Sequence, residues 1–125
     1  MLPLCQDQGI GVIPWSPLAR GRLTRDWDEQ TARSETDEFG SSLYHPQDRE
    51  VADDLAQLAE RRELPRAQVA LAWLMHQQAV TSPIVGVTKT EQLTDAVAAV
   101  DVELSDEELK ELGASYQPHG IAGHR

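Results

Sequence analysis

The chain has 125 residues, 40% of them hydrophobic, which suits one small domain with a core and excludes a disordered polymer. Eleven Lys and Arg residues against 21 Asp and Glu give a formal net charge of −10, which disfavours nucleic-acid or anionic-membrane surfaces, because both need clustered positive charge. No apolar run approaches the ~18 residues that cross a membrane, and a single cysteine, Cys5, fits a reducing cytoplasm.

The first predicted elements are a helix end and a strand. Residues 1–8 predict the end of a helix, and a glycine turn leads into a strand over Ile10–Trp15. Its β-branched residues predict that this strand is buried. The region from Ser16 to Pro46 shows no sustained period, so we interpret it as a long loop, and loops beyond about 15 residues in compact domains are usually lids, binding loops or disordered. We prefer the lid because the loop directly follows a candidate binding site, the segment Trp15–Arg22.

Two helices are predicted next. The first begins with Asp48 as its N-cap and continues to about Glu63, with an apolar face formed by Val51, Ala52, Leu55, Leu58 and Ala59. The second runs from Arg66 to about Gln77, after Pro65. Because it is apolar nearly all round, it must be covered on most sides.

The last predicted elements are a short strand and two more helices. The strand is Pro83–Val87, and Thr88 with Glu91 forms a capping box that opens a helix. The apolar face of that helix is Leu93, Val97 and Val100. A second capping box, Ser105 with Glu108, opens the final helix, and Leu104 before it can form a hydrophobic staple. Gly113 is predicted to end this helix, and a polar tail follows over 115–125.

The alternation of strands and helices predicts an α/β fold with parallel strands and right-handed crossovers. Parallel sheets are covered on both faces, and two strands are too few to stand alone in water. We therefore expect residues 1–125 to form a single incomplete segment of a larger sheet, and the uncovered strand edges predict self-association.

Three segments resemble one known family. GIGVIPWSPLARGRLT (Gly9–Thr24) resembles strand 7 and the following loop of aldo-keto reductases, of the bacterial and potassium-channel β-subunit type. RAQVALAWLM (Arg66–Met75) is similar to that family's helix before the last strand, and PIVGVTKTEQL (Pro83–Leu93) to strand 8 and its cofactor loop. The resemblance implies the C-terminal portion of a (β/α)8 TIM barrel, comprising strand 7, a long loop, two helices, strand 8, two helices and a polar tail. A whole barrel needs about 250 residues.

The resemblance also implies an NADP(H) site. In such barrels the loops after strands 7 and 8, with a helix N-terminus, frequently bind phosphate. By resemblance Trp15 lies against the nicotinamide. The residues implied to line the pyrophosphate are Ser16, Pro17, Leu18, Arg20 and Gly21, with Arg22 and Arg25 as extra cations. The residues implied to hold the adenosine end and its 2′-phosphate are Gly86, Thr88, Lys89, Gln92 and Asp95. Ala96 departs from the family's usual Asn, which removes one adenine contact.

Simpler interpretations exist for these residues. Thr88 and Glu91 need only cap a helix, Lys89 and Arg22 can be solvated charges, and Trp15 can be core packing. The four histidines lack metal-ligand spacing, so we predict no metal site.

No catalytic residue is assigned to the chain. The family's Asp, Tyr, Lys and His tetrad comes from the first half of its barrel, which these residues do not include. We interpret Tyr44 as an aromatic anchor and His45 as a turn residue. The complete enzyme would reduce a small carbonyl substrate with NADPH, and the isolated chain would be inactive. The alternatives are a non-catalytic NADP-binding or interaction module, and an acidic helical interaction protein.

Overall fold

The fold was analysed in a computed structural model that describes residues 1–29, 31, 38–118 and 120. Within these residues the secondary structure is helical. Short 3₁₀ turns occur at Ala19–Gly21 and Ala99–Asp101, and the α-helices are α1 (Leu2–Asp7), α2 (Glu38–Ser41), α3 (Asp48–Arg61), α4 (Arg66–Met75), α5 (Thr90–Ala98) and α6 (Asp106–Ala114).

Two extended segments pair in parallel where strands were predicted. Val12 bridges Val80 and Trp15 bridges Ile84, which confirms the parallel direction. Backbone bonds run from Val12 N to Ala79 O (3.0 Å), from Thr81 N to Val12 O (2.8 Å) and from Ile84 N to Pro14 O (2.9 Å). The described residues contain no continuous strand, so the predicted bounds Ile10–Trp15 and Pro83–Val87 are wrong. Pairing on the second segment begins before Pro83, which itself cannot donate a ladder bond.

The expected burial of the first extended segment is also wrong. Its residues alternate, with Val12 and Pro14 half-buried and Ile13 and Trp15 exposed by 62% and 63%. Alternation of this kind means that one side of the pair lies on the rest of the molecule. The other side is apolar, and none of the described residues covers it.

The core lies among the helices. On α3 the buried residues are Ala52, Leu55, Leu58 and Ala59, which confirms most of the predicted face; Val51 is only half-buried. In α4 Val69 and Ala72 have no exposed surface, as expected for a helix that is apolar nearly all round. The half-buried Trp73 packs on this core and donates its Nε1–H to the Leu109 carbonyl at 3.2 Å, which fixes α4 against α6.

Ion pairs join α3 to the region of α6. Arg61 Nη2 lies 2.7 Å from each carboxylate oxygen of Glu111, and this hydrogen bond raises the pKa of Arg61. Arg62 makes a similar pair with Glu108 at 2.9 and 3.0 Å and also donates to the Glu103 carbonyl. In each pair one guanidinium nitrogen contacts both carboxylate oxygens, and Arg62 is held in addition by its bond from Nη2 to the Glu103 carbonyl.

The predicted helix ends differ in accuracy. The Ser105 and Glu108 capping box is confirmed by reciprocal bonds, Ser105 N to Glu108 Oε2 at 2.8 Å and Glu108 N to Ser105 Oγ at 3.2 Å. The staple residue Leu104 is buried in the core. Helix α6 continues one residue past Gly113, to Ala114.

Two other predicted caps are wrong. Helix α3 has Gln47 as its N-cap, while Asp48 is the first helical residue and accepts from the His45 backbone N–H at 2.8 Å. Helix α5 begins at Thr90, after Lys89, so Thr88 and Glu91 do not form the predicted box. In both helices a side-chain oxygen of the first turn accepts a hydrogen bond from a backbone N–H that precedes the helix: Asp48 accepts from His45, and Gln92 accepts from Lys89. Spacing in the sequence did not show which side chain would be the acceptor.

Helix α5 leaves its predicted apolar face uncovered. Leu93, Val97 and Val100, the last in the 3₁₀ turn after α5, each expose more than half of their surface. The face has helical spacing, as predicted, but no described residue buries it. Together with the exposed side of the extended pair, it forms an incomplete part of the fold.

Candidate anion-binding cavity

One cavity of about 1020 Å³ lies where the loop after the first extended segment meets the loop before α5. All thirteen residues predicted for the cofactor site line it, although their role in binding stays a prediction. The described residues that line it are Trp15, Ser16, Pro17, Leu18, Arg20, Gly21, Arg22, Thr24, Arg25, Thr31, Gly40, Tyr44, Pro65, Arg66, Ala67, Leu71, Ile84, Val85, Gly86, Val87, Thr88, Lys89, Gln92, Asp95 and Ala96.

The first wall of the cavity has an unusual backbone. Ser16, Ala19 and Arg20 adopt positive φ values of 52°, 48° and 56°, a region that non-glycine residues rarely enter. Such conformations cost on the order of 1–3 kcal/mol each and persist where surrounding contacts impose them. At Gly21, where φ is 93°, the backbone conformation itself favours glycine; a Cβ atom would also meet the Arg25 guanidinium, but that is the end of a flexible side chain and can shift.

The opposite wall is stabilised by Gln92. Its Oε1 accepts from Thr88 N at 2.8 Å, from Thr88 Oγ1 at 3.3 Å and from Lys89 N at 3.3 Å. The backbone N–H groups of Thr88 and Lys89 therefore bond to a side chain of the same loop and helix. Gln92 orders the loop through these bonds.

Helix α4 forms a third wall that sequence reasoning missed. Pro65, Arg66, Ala67 and Leu71 line the cavity, and they come from a helix interpreted only as core. Gln68 on the same helix donates from Nε2 to Asp95 Oδ1 at 3.0 Å. Asp95, predicted to hold the adenosine end, is thereby positioned by α4. The only sequence signal was the position of Arg66 in the first turn of an otherwise apolar helix.

Three aromatic rings hold two of the cavity arginines. The Arg22 guanidinium lies 4.5 Å from the Trp27 ring centroid and 5.3 Å from that of Tyr44, and Arg20 lies 5.9 Å from the Phe39 ring. Contacts of this kind attract a cation to the ring face. Arg22 is therefore a packed group rather than a solvated charge, and Tyr44 acts as the predicted aromatic anchor.

Positive charge is concentrated at this cavity. Arg20, Arg22, Arg25, Arg66 and Lys89 line it, which is five of the 11 basic residues in the chain. Of its described lining residues only Asp95 is acidic, although the chain carries 21 acidic residues. A concave surface of one sign focuses the electrostatic potential and raises the local concentration of counter-ions. This arrangement can bind an anion despite the net charge of −10.

In the described part of the chain, no group of three or more His, Cys, Asp or Glu side chains is arranged to hold a metal ion. None of the helices within it has both the length and the apolar character needed to cross a membrane.

Comparison with known proteins now gives the family. The Aldo/keto reductase family matches residues 1–117, and the chain belongs to that family. A protein of Schizosaccharomyces pombe that carries the name putative aryl-alcohol dehydrogenase C977.14c is 43% identical to this chain. The match covers 98% of this chain and 35% of that protein. Versiconal hemiacetal acetate reductase from Aspergillus parasiticus is 36% identical over 97% of this chain and 36% of its own length. The chain thus spans about a third of the length of these relatives.

Solved structures show the same fold. Glycerol dehydrogenase AKR11B4 from Gluconobacter oxydans superposes with a TM-score of 0.68 at 23% identity, over 100% of this chain and 40% of that one. The thermostable aldo-keto reductase Tm1743 gives a TM-score of 0.62 at 23% identity, over 92% of this chain and 33% of that one. The described residues therefore have the fold of part of an aldo-keto reductase barrel, which explains why their extended segments pair in parallel.

Proposed function

We propose that the chain forms the NADP(H)-binding part of an aldo-keto reductase that reduces a carbonyl group. The observation that carries this proposal is the cavity with five basic side chains and one carboxylate among its described lining residues. A dinucleotide phosphate needs such a surface, and the cavity is as large as the upper range of small-molecule sites, about 1000 Å³. Membership of the Aldo/keto reductase family supports reduction of a carbonyl group as the class of reaction.

The residues present fit the cofactor. The strained turn at Ala19–Gly21 and the basic side chains around it would receive the pyrophosphate. Trp15 exposes 63% of its surface and is fixed by its backbone bridge to Ile84, so its ring is available for a nicotinamide to stack on. Lys89 on the opposite wall would contact the 2′-phosphate, and Asp95, held by Gln68, would contact the adenosine.

The chemistry needs a further group. When bound, NADPH supplies a hydride to the carbonyl carbon, and the carbonyl oxygen takes a proton from an acid. Of the described lining residues only Tyr44 carries a phenol, and its ring packs against Arg22. The role of the chain in this proposal is to bind and orient the cofactor, and the isolated chain is expected not to turn over a carbonyl substrate.

Tryptophan fluorescence tests the proposal. Titration with NADPH should quench the emission of the purified chain, because the cofactor would stack on Trp15. Trp15→Phe should lose most of the quenching, whereas Trp73→Phe should retain it, since Trp73 lies on α4 and packs against α6, outside the cavity lining. Absence of any response at millimolar NADPH would contradict the proposal.

A second candidate function is an interaction module that binds NADP without catalysis. The exposed apolar side of the extended pair and the uncovered face of α5 favour this candidate, because exposed strand edges and apolar patches mark association surfaces. We propose that the chain self-associates through these surfaces. The narrower resemblance to the bacterial and potassium-channel β-subunit branch, and a cytoplasmic location, stay predictions.

A further inference from the structure

We infer that Arg66 is an anion-binding residue of the cavity and that Asp26 holds its guanidinium at the rim until a phosphate replaces Asp26 as its partner. This inference rests on the proposed binding of a phosphate-containing ligand. It assigns a binding role to helix α4, whose apolar sequence pattern indicated only packing.

Arg66 lies in the cavity wall rather than on an open surface. It opens α4 between Pro65 and Ala67, which both line the cavity, and its side chain is 30% exposed. The rigidity of α4 fixes its Cα position, since Val69 and Leu71 of this helix are almost completely buried. A guanidinium placed in this way can reach into the cavity without any movement of the backbone.

The ion pair with Asp26 is suited to exchange. Arg66 Nη2 lies 2.8 Å from Asp26 Oδ1, and the Asp26 side chain is 80% exposed. This bond uses one of the five guanidinium donors. Ion pairs with such an exposed partner contribute little, because water and salt screen them. A phosphate carries more charge and presents several oxygens, so it would compete well for the same guanidinium.

The loop that carries Asp26 also carries Arg20, Arg22 and Arg25. Release of Asp26 on ligand binding would therefore leave its carboxylate close in sequence to the cations that receive the pyrophosphate. Neutralising that carboxylate should remove a competitor of the ligand. The chain offers a matched control in the pair Arg49 and Asp28, which lie 3.0 Å apart and join the same loop to α3. Neither residue is among the described residues that line the cavity.

The test uses calorimetric titration of the full chain with inorganic pyrophosphate and, separately, with NADPH, at low and at high salt. Arg66→Gln should weaken binding about tenfold, the size expected for a lost hydrogen bond to a charged group. Asp26→Asn should tighten binding about threefold, in line with loss of one exposed ion pair. Arg49→Gln and Asp28→Asn should change affinity less than about twofold, as surface substitutions away from the site do.

A double mutant separates a binding role from a structural one. If Asp26 acts only through Arg66, Asp26→Asn should have no effect on affinity in the Arg66→Gln background. Equal affinities of wild type and Arg66→Gln, or equal effects of Asp26→Asn and Asp28→Asn, would overturn the inference while leaving the proposed function intact. If wild type binds neither probe, the proposed function fails and the inference falls with it. Asp26→Asn changes an exposed loop residue, so it reports even if Arg66→Gln does not fold.

Discussion

Val69 and Ala72 in α4 have no exposed surface, whereas Ile13 and Ile84 in the paired segments expose 62% and 52% of theirs. Both regions are rich in apolar residues, so hydrophobicity does not explain the difference. Helices α3, α4 and α6 bury their apolar faces against one another, because each needs only one or two neighbours. A pair of parallel extended segments needs neighbours at both edges and on both faces, and the described residues supply one face.

The comparison shows where function can reside in this chain. The helical core holds Arg66 and Gln68 in place, and the extended pair holds Trp15 and the loop that follows it. The cavity lies between the two regions and takes residues from both. The wall that carries Arg66 belongs to the buried helical core, and the exposed Trp15 ring belongs to the uncovered extended pair.

The largest contrast should appear in stability. Leu58→Ala removes a side chain that is 1% exposed and should lower the free energy of unfolding by about 2–5 kcal/mol. Ile13→Ala should change it by less than about 0.5 kcal/mol, because little surface is lost from the interior. Denaturant unfolding followed by circular dichroism measures both values. A loss at Ile13 comparable to that at Leu58 would show that the extended pair is covered in solution.

Self-association should give the next largest effect. Ile13→Lys combined with Val97→Lys places charge on both uncovered surfaces and should weaken association of the purified chain about tenfold, because like charges and lost apolar contact both oppose it. Sedimentation velocity over a concentration series measures the shift. Arg49→Lys, on the exposed side of α3, serves as the control. A wild-type chain that sediments as a monomer at all concentrations would remove the basis of this prediction.

The smallest effect concerns the cap of α6. Ser105→Ala removes the acceptor for Glu108 N and should lower the free energy of unfolding by about 1 kcal/mol. The bond from the Ser105 backbone N–H, followed by the Arg62 guanidinium, lowers the pKa of Glu108 in the folded chain. This carboxylate therefore stabilises the fold above its unfolded pKa, and that stabilisation is lost as pH falls through the folded value.

Glu108→Gln provides the matching pH measurement. The amide can still accept the backbone bond but does not titrate, so the stability of the variant should depend less on pH in the acid range than that of wild type. Thermal unfolding between neutral and acid pH compares the two. Parallel curves for both proteins would contradict the stated role of Glu108.

Interactions between residues close in sequence were mostly predicted correctly, and interactions that depend on the path of the chain were not. The Ser105 and Glu108 box was predicted because its two partners are three residues apart and both bonds are local. Helix α4 was predicted because a run such as Val69 to Met75 has few polar breaks. Thr88 and Glu91 have the same spacing, yet the backbone N–H groups of Thr88 and Lys89 donate to Gln92 instead of Glu91. The path of the loop before the helix decides which side chain accepts these bonds.

The sequence by itself determined the longer helices, most of their apolar faces, the parallel relation of two extended segments and the family to which the chain belongs, but it missed the short helix α2 inside the predicted loop. Only the tertiary structure decided that Ile13, Trp15, Leu93 and Val97 stay exposed, because burial depends on which other elements are present to cover a face. It also brought Arg66 into the cavity and placed Arg22 between two rings. The contacts of Arg66 with Asp26 and of Arg22 with Tyr44 join residues far apart in sequence, and no local pattern encodes them.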